Sequence, residues 1–178
     1  MLFRSLPKEQ QSPPSKIVST AAIFKETGVD EDTTVLLSFP TTAPTNSFDR
    51  SSHGVAMAAF RLMTDPDQRS SAGPAIRIQG TKGEIQIDHP AYRPERYRIV
   101  PQKLDGQAVV VREIQHAFPG DGHSMYWEAD EAARCIRDGK IESEIMPWTE
   151  SILVMKVLDE VRRQNDLVYP EAIETTTR

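Results

Sequence analysis

Ring and guanidinium side chains crowd one short stretch, Gly80–Pro94 (GTKGEIQIDHPAYRP), in which His89, Tyr92 and Arg93 fall close together. Such a knot either closes a strand or forms one wall of a ligand pocket. The Gly-Thr-Lys-Gly that opens it has glycine at both ends of a tight turn, as a hairpin requires, and lacks the spacing of a dinucleotide or phosphate-binding loop. The remaining chemistry-bearing residues are scattered. His53, His89, His116 and His123 are too irregularly spaced for a metal-binding helix or finger. No Ser/His/Asp or Cys/His arrangement stands on a recognisable nucleophile elbow. Glu128, Asp130 and Glu131 could be taken for a catalytic pair, yet acids in the first turns of a helix are explained by the helix dipole and solvation. Cys135 reads as a small buried hydrophobe, with no basic neighbour placed to activate its thiol. The residues alone thus name no catalytic or metal site.

The chain has 178 residues, enough for one domain with a substantial core, and its 38% apolar and 26% charged content is that of an ordinary soluble protein. A net charge of -5 and the lack of any basic run argue against nucleic acid as a partner. The N-terminus lacks the apolar run of a secretion signal, and no segment approaches a membrane span. One cysteine can form no internal disulfide, so a cytoplasmic location is expected.

Residues 1–15 read as a mobile leader or a severed connector. Lys16–Phe24 and Thr33–Phe39 are rich in β-branched residues and flank a Gly- and Asp-bearing turn, which predicts two antiparallel strands. Pro40–Gly54 is too polar to pack, and Val55–Met63 predicts a third strand, apolar on both sides apart from Arg61. Ala75–Gln79 and Glu84–Asp88 alternate, with Ile76, Ile78, Ile85 and Ile87 inward. Tyr97–Val100 and Val109–Phe118 complete about seven strands, the last two joined at the Leu104–Gln107 turn. After Gly120-Asp121-Gly122 the period changes to 3.6. Met125, Ala129, Ala132, Ala133 and Ile136 share one helical face, and Gly139 stops that helix. A second helix runs from Pro147 to Gln164 with an apolar arc so wide that most of its circumference must be covered. Leu167–Tyr169 suggests a short strand, and 171–178 a polar tail. Strands followed by helices predict an α+β fold: an open, mostly antiparallel sheet with two main helices on one face, the other face bare and available to a partner.

Two segments are more specific. Ala75–Tyr97, AIRIQGTKGEIQIDHPAYRPERY, and Gly122–Tyr169, with GHSMYWEADEAARCIRDGKIESEIMPWTESILVMKVLDEVRRQ, closely resemble the C-terminal domain of the Gfo/Idh/MocA oxidoreductase family. The resemblance covers nearly all of 16–170, and is nearest to the branch of dimeric dihydrodiol dehydrogenases and NADP-dependent D-xylose 1-dehydrogenases. It implies an enzyme of two domains. A nucleotide-binding domain holds NADP, and an open-faced sheet domain completes the pocket for a sugar or diol and dimerises through its sheet. The chain shows no Gly-x-Gly-x-x-Gly after a strand and no Glu-Lys-Pro carrying the family's catalytic lysine. By itself it is therefore expected to bind no NADP and to be inactive, and a non-catalytic module that mediates dimerisation is the alternative. The resemblance also implies substrate-lining roles for Tyr92, the aromatic before x-Pro, and for Phe118, the aromatic before the glycine-rich entry to the first helix. Both suit a sugar or ring face, because aromatic planes stack on C–H surfaces. Arg93 and Arg96 read as solvated rim, with contact to substrate hydroxyls as the alternative.

Overall fold

The computed structural model describes residues 13–40, 52–106, 108–120 and 125–174. Most of the leader, the polar loop at 41–51, Gln107, His123 and the end of the tail lie outside the described residues. Among the described residues, seven strands and three helices divide into two units, one of residues up to Leu62 with those from Glu144 onward, the other Met63–Ser143. Every ladder is antiparallel and the class is α+β. Among the described residues, however, the strands form a three-stranded and a four-stranded sheet rather than one continuous sheet.

In the first unit, β1 (Lys16–Phe24), β2 (Val29–Phe39) and β3 (Ser52–Ala59) pair in sequence order. β2 starts earlier than its β-branched core predicts, because Asp30 and Asp32 pair with Ile23 and Ala22 and the extra Glu31 is accommodated as a bulge. The register puts Ile17, Leu37 and Gly54 in one cross-strand row and Ser19, Val35 and Ala56 in the next. Leu37 on this face is buried. The opposite face carries Val18, Leu36, Val55 and Met57, all exposed, Val55 at 72%. The bare apolar face expected from the two-sided β3 is thus present.

Helix α2 (Trp148–Gln164) has Pro147 at its N-cap, where extended backbone and a missing N–H do no harm. Its C-terminal end is stitched to β1. The Gln164 carboxamide accepts from Ser19 N and from Ser19 Oγ, each at 2.8 Å, and donates to Ile17 O at 2.9 Å. It therefore stands in for a neighbouring strand along the outer edge of β1. Val161 is buried, but Ile152, Met155 and Leu158 stay about half exposed, so the wide apolar arc of this helix is covered less than its sequence implies. Residues 167–169 are not a strand, and Glu171–Glu174 in the expected polar tail form a short helix, α3.

In the second unit, β4 (Ile76–Gly80), β5 (Gly83–Ile87), β6 (Arg96–Pro101) and β7 (Arg112–Gln115) form a meander. Its apolar face holds the rows Ile78–Ile85–Ile99 and Ile76–Ile87–Tyr97–Ile114, and its polar face Arg77–Gln86–Arg98–Glu113. Gly83 is required where it stands. Its φ is +136°, and a Cβ there would lie 2.8 Å from Pro101 Cα and closer still to Val100 O. β7 is much shorter than the Val109–Phe118 expected. With Ile99 opposite Arg112, the next bonded position would fall on Pro101, which has no N–H to extend the ladder. Helix α1 (Tyr126–Arg137) buries Cys135, but the apolar face expected of it, Met125, Ala129, Ala132, Ala133 and Ile136, is exposed, Ile136 at 79%.

Candidate functional site

The knot of ring and guanidinium side chains lies at one end of the β4–β7 sheet, in the connection between β5 and β6. Its base is Asp88, 3% exposed, on the polar face of the sheet. Its N–H bonds Arg96 O at 3.1 Å, and its carboxylate accepts from Arg96 Nε at 2.5 Å and from Arg98 Nη2 at 2.6 Å. An almost fully buried carboxylate is tolerable only when paired in this way. In return, the hydrogen bond and charge of Asp88 raise the Arg96 pKa above its ordinary value. Arg96 is therefore part of the sheet's internal ion pairing rather than the solvated rim that its sequence suggests.

After Asp88 the His89–Pro90 peptide is cis, His89 N donates to Ser70 Oγ at 3.3 Å, and Arg93 N bonds Pro90 O at 3.0 Å. That last bond closes a turn with Ala91 and Tyr92 at its centre, which carries Tyr92 to 77% exposure. Across from it, His116 N bonds Glu95 O at 2.8 Å, extending the β6–β7 alignment, and the Tyr97 and His116 rings stack at 6.2 Å. Phe118 follows two residues later. The Arg93 guanidinium lies over the Phe118 ring, 5.1 Å from its centroid. Tyr92 and Phe118, distant in sequence, are thus brought to one end of the same sheet, with Arg93 between them.

The other candidates do not join this cluster. His53 lies on β3 with Nδ1 3.2 Å from Ser38 Oγ, in the first unit. Glu131 accepts from Ser143 Oγ at 2.6 Å and is approached by Cys135 Sγ at 3.8 Å, while Arg134 lies 3.9 Å from both Asp130 and Glu131. These acids hold helix α1 and the segment after it. Burial, with the Glu131 charge second to it, pushes the Cys135 thiol pKa up, away from a reactive thiolate. Among the described residues, no three His, Cys, Asp or Glu side chains converge as a metal site would require.

Two features escaped sequence reasoning. Asp88 with Arg96 and Arg98 carried a usable signal: with the hairpin register known, alternation puts all three on one face. A cleft of about 450 Å³ in the first unit, between the sheet and α2 and lined by Ala21, Val35, Met155, Leu158 and Arg162 among others, carried none. Its charged residues Asp30, Arg162 and Glu174 are engaged: Arg162 with Glu174 at 2.9 Å and the Tyr169 ring at 4.7 Å, and Asp30 with Thr33 Oγ1 at 3.0 Å.

Every ladder among the described residues is antiparallel, and the glycine at 83 serves strand-to-strand contact.

Among curated proteins, the chain is 41% identical over 180 residues to the D-xylose 1-dehydrogenase (NADP(+)) of Hypocrea jecorina, a match covering 98% of this chain and 42% of that protein. It is 29% identical over 143 residues to the scyllo-inositol 2-dehydrogenase (NADP(+)) of Bacillus subtilis, covering 80% of this chain and 36% of the relative. With the trans-1,2-dihydrobenzene-1,2-diol dehydrogenase of Homo sapiens it shares 27% identity over 168 residues, 89% of this chain and 41% of the relative. The chain spans about two-fifths of the length of these relatives. No family model and no solved structure matches it. Matched along nearly its whole length to sugar and diol dehydrogenases, and built as an antiparallel α+β fold, the chain is a relative of those enzymes over about two-fifths of their length.

Proposed function

We propose that this chain is the substrate-side domain of an NADP-dependent oxidoreductase that acts on a CH–OH group of a sugar or diol. Residues 16–170 form the domain, and Tyr92 and Phe118 form its contribution to the pocket wall. The observation that carries this reading is the 41% identity to a D-xylose 1-dehydrogenase over 98% of the chain. An exposed Tyr92 beside an Arg93-capped Phe118 supports it, since both rings stand at one sheet end. The contribution assigned to the described residues is orientation of the substrate and exclusion of water.

No described helix is long and apolar enough to cross a membrane. We assign the protein to the cytoplasm and its bare face of Val18, Leu36, Val55 and Met57 to contact with a second copy, in keeping with the exposure of those four apolar side chains. A chimaera tests the catalytic reading. This chain replaces the matching segment of the Hypocrea jecorina enzyme, and D-xylose-dependent reduction of NADP+ is followed at 340 nm. The expected result is turnover that falls at least tenfold on Tyr92→Ala, through loss of ring contact with substrate. A folded chimaera that binds NADPH but oxidises neither D-xylose nor a trans-dihydrodiol refutes the reading.

A further inference from the structure

Arg93 and Arg96 look interchangeable in sequence, but the fold gives them opposite settings. Arg96 is engaged through Nε by Asp88 at 2.5 Å and lies 3.9 Å from Glu113. Arg93 rests its guanidinium on the Phe118 ring, and its ion pair is with Glu95, at 3.3 Å through Nη2. Its Nε is buried without a hydrogen-bond partner. A guanidinium carries five N–H donors around its edge, and stacking on a ring satisfies its face and none of those donors. Arg93 is therefore a cation with one buried, unpaired donor at Nε and a side chain that is 27% exposed, next in the chain to the exposed Tyr92. It also covers the Phe118 face that would otherwise be available to a hydrocarbon ring.

We propose that Arg93 is a specificity-determining residue that favours an oxygen-rich, polyhydroxylated ring over a diol with a hydrocarbon edge. The proposal rests on the reading of Tyr92 and Phe118 as a substrate wall. Only a ligand with acceptor oxygens around its ring can meet the edge of the guanidinium while its C–H face lies on Tyr92. A ligand with two vicinal hydroxyls and an otherwise apolar ring leaves those donors unsatisfied and desolvated, which is the costly outcome for a buried polar group.

Amide chemical shifts of the full chain, titrated with D-xylose and with trans-cyclohexane-1,2-diol, test the assignment. The expected result is that D-xylose shifts the amides of 91–96 and 118 and binds about tenfold more tightly than the cyclohexanediol, the effect of roughly one satisfied charged hydrogen bond. Arg93→Ala is expected to bring the two dissociation constants within about twofold, while Arg93→Lys retains part of the preference. Phe118→Leu, which keeps the cation but removes its platform, is expected to reduce the preference as well. Dispersed spectra outside this region establish that each variant is folded. A preference unchanged in Arg93→Ala, or a tighter fit for the cyclohexanediol in the unaltered chain, overturns the proposal while leaving the substrate wall intact. Absence of any ligand-induced shift at 91–96 and 118 instead overturns the wall itself, and with it this inference.

Discussion

Removing the Gln164 carboxamide is a sharp test of how the first unit is held together. This side chain, on the last residue of α2, makes three hydrogen bonds to β1: from Ser19 N and Ser19 Oγ at 2.8 Å and to Ile17 O at 2.9 Å. Each is worth about 1 kcal/mol net, and the edge of β1 regains some bonding to water once the amide is gone. Gln164→Ala is therefore expected to cost about 1–2 kcal/mol, slightly reduced by the better helix propensity of alanine. For a chain of this size that lowers Tm by roughly 2–8 °C. The more discriminating measurement is amide hydrogen exchange. Ser19 should lose about tenfold in protection, as expected for about 1.4 kcal/mol, while Ser38 and Leu36 keep theirs. Gln164→Glu should be a partial rescue, because a carboxylate can accept from Ser19 but cannot donate to Ile17 O. Unchanged Ser19 protection, or a uniform loss across both sheets, would refute the idea that one amide takes the place of a missing strand.

Three further outcomes are expected. Gly83→Ala should destabilise the β4–β6 meander by more than about 2 kcal/mol, since it combines a left-handed backbone with a Cβ driven into the neighbouring strand; a Tm within a degree of the unaltered chain would contradict this. Hydrogen bonds from Arg163, then Gln164, hold the Glu160 carboxyl at a pKa of about 2, below its ordinary 4.5. Its folded-state value is depressed, so its favourable contribution is complete above about pH 4.5 and is lost as pH falls toward 2; a side-chain NMR titration midpoint near 4.5 would show that the pairing is absent. Sedimentation at micromolar concentration should find the chain self-associated through the bare sheet face, and Val55→Lys should shift it toward monomer. A monodisperse unaltered monomer removes the assignment of that face.

What could be read before the fold was known, and what could not, follows from the range of the forces involved. The alternation of Ile76, Ile78, Ile85 and Ile87 identifies a hairpin because period two is a local property, and the structure pairs these residues as expected, although Ile76 and Ile78 on the edge strand are exposed rather than inward. The strand ending at Phe118 was overestimated because its length depends on Pro101, a residue of its partner. The division of the strands between two sheets was invisible for the same reason: hydrogen-bond continuity between strands is not a property of either one alone. Of the candidate site, the family resemblance implies Tyr92 and Phe118, whereas the sequence does not separate Arg93, laid on Phe118, from Arg96.

The amino-acid sequence by itself determined the class of this protein, its antiparallel strands and amphipathic helices, and its kinship with sugar and diol dehydrogenases, because periodicity, turn residues and extended similarity are written along the chain. Only the tertiary structure decided which arginine is neutralised by Asp88 and which is laid on Phe118. Two identical side chains acquire different chemistry from their partners in space. Those partners come from strands and loops whose register no linear reading contains.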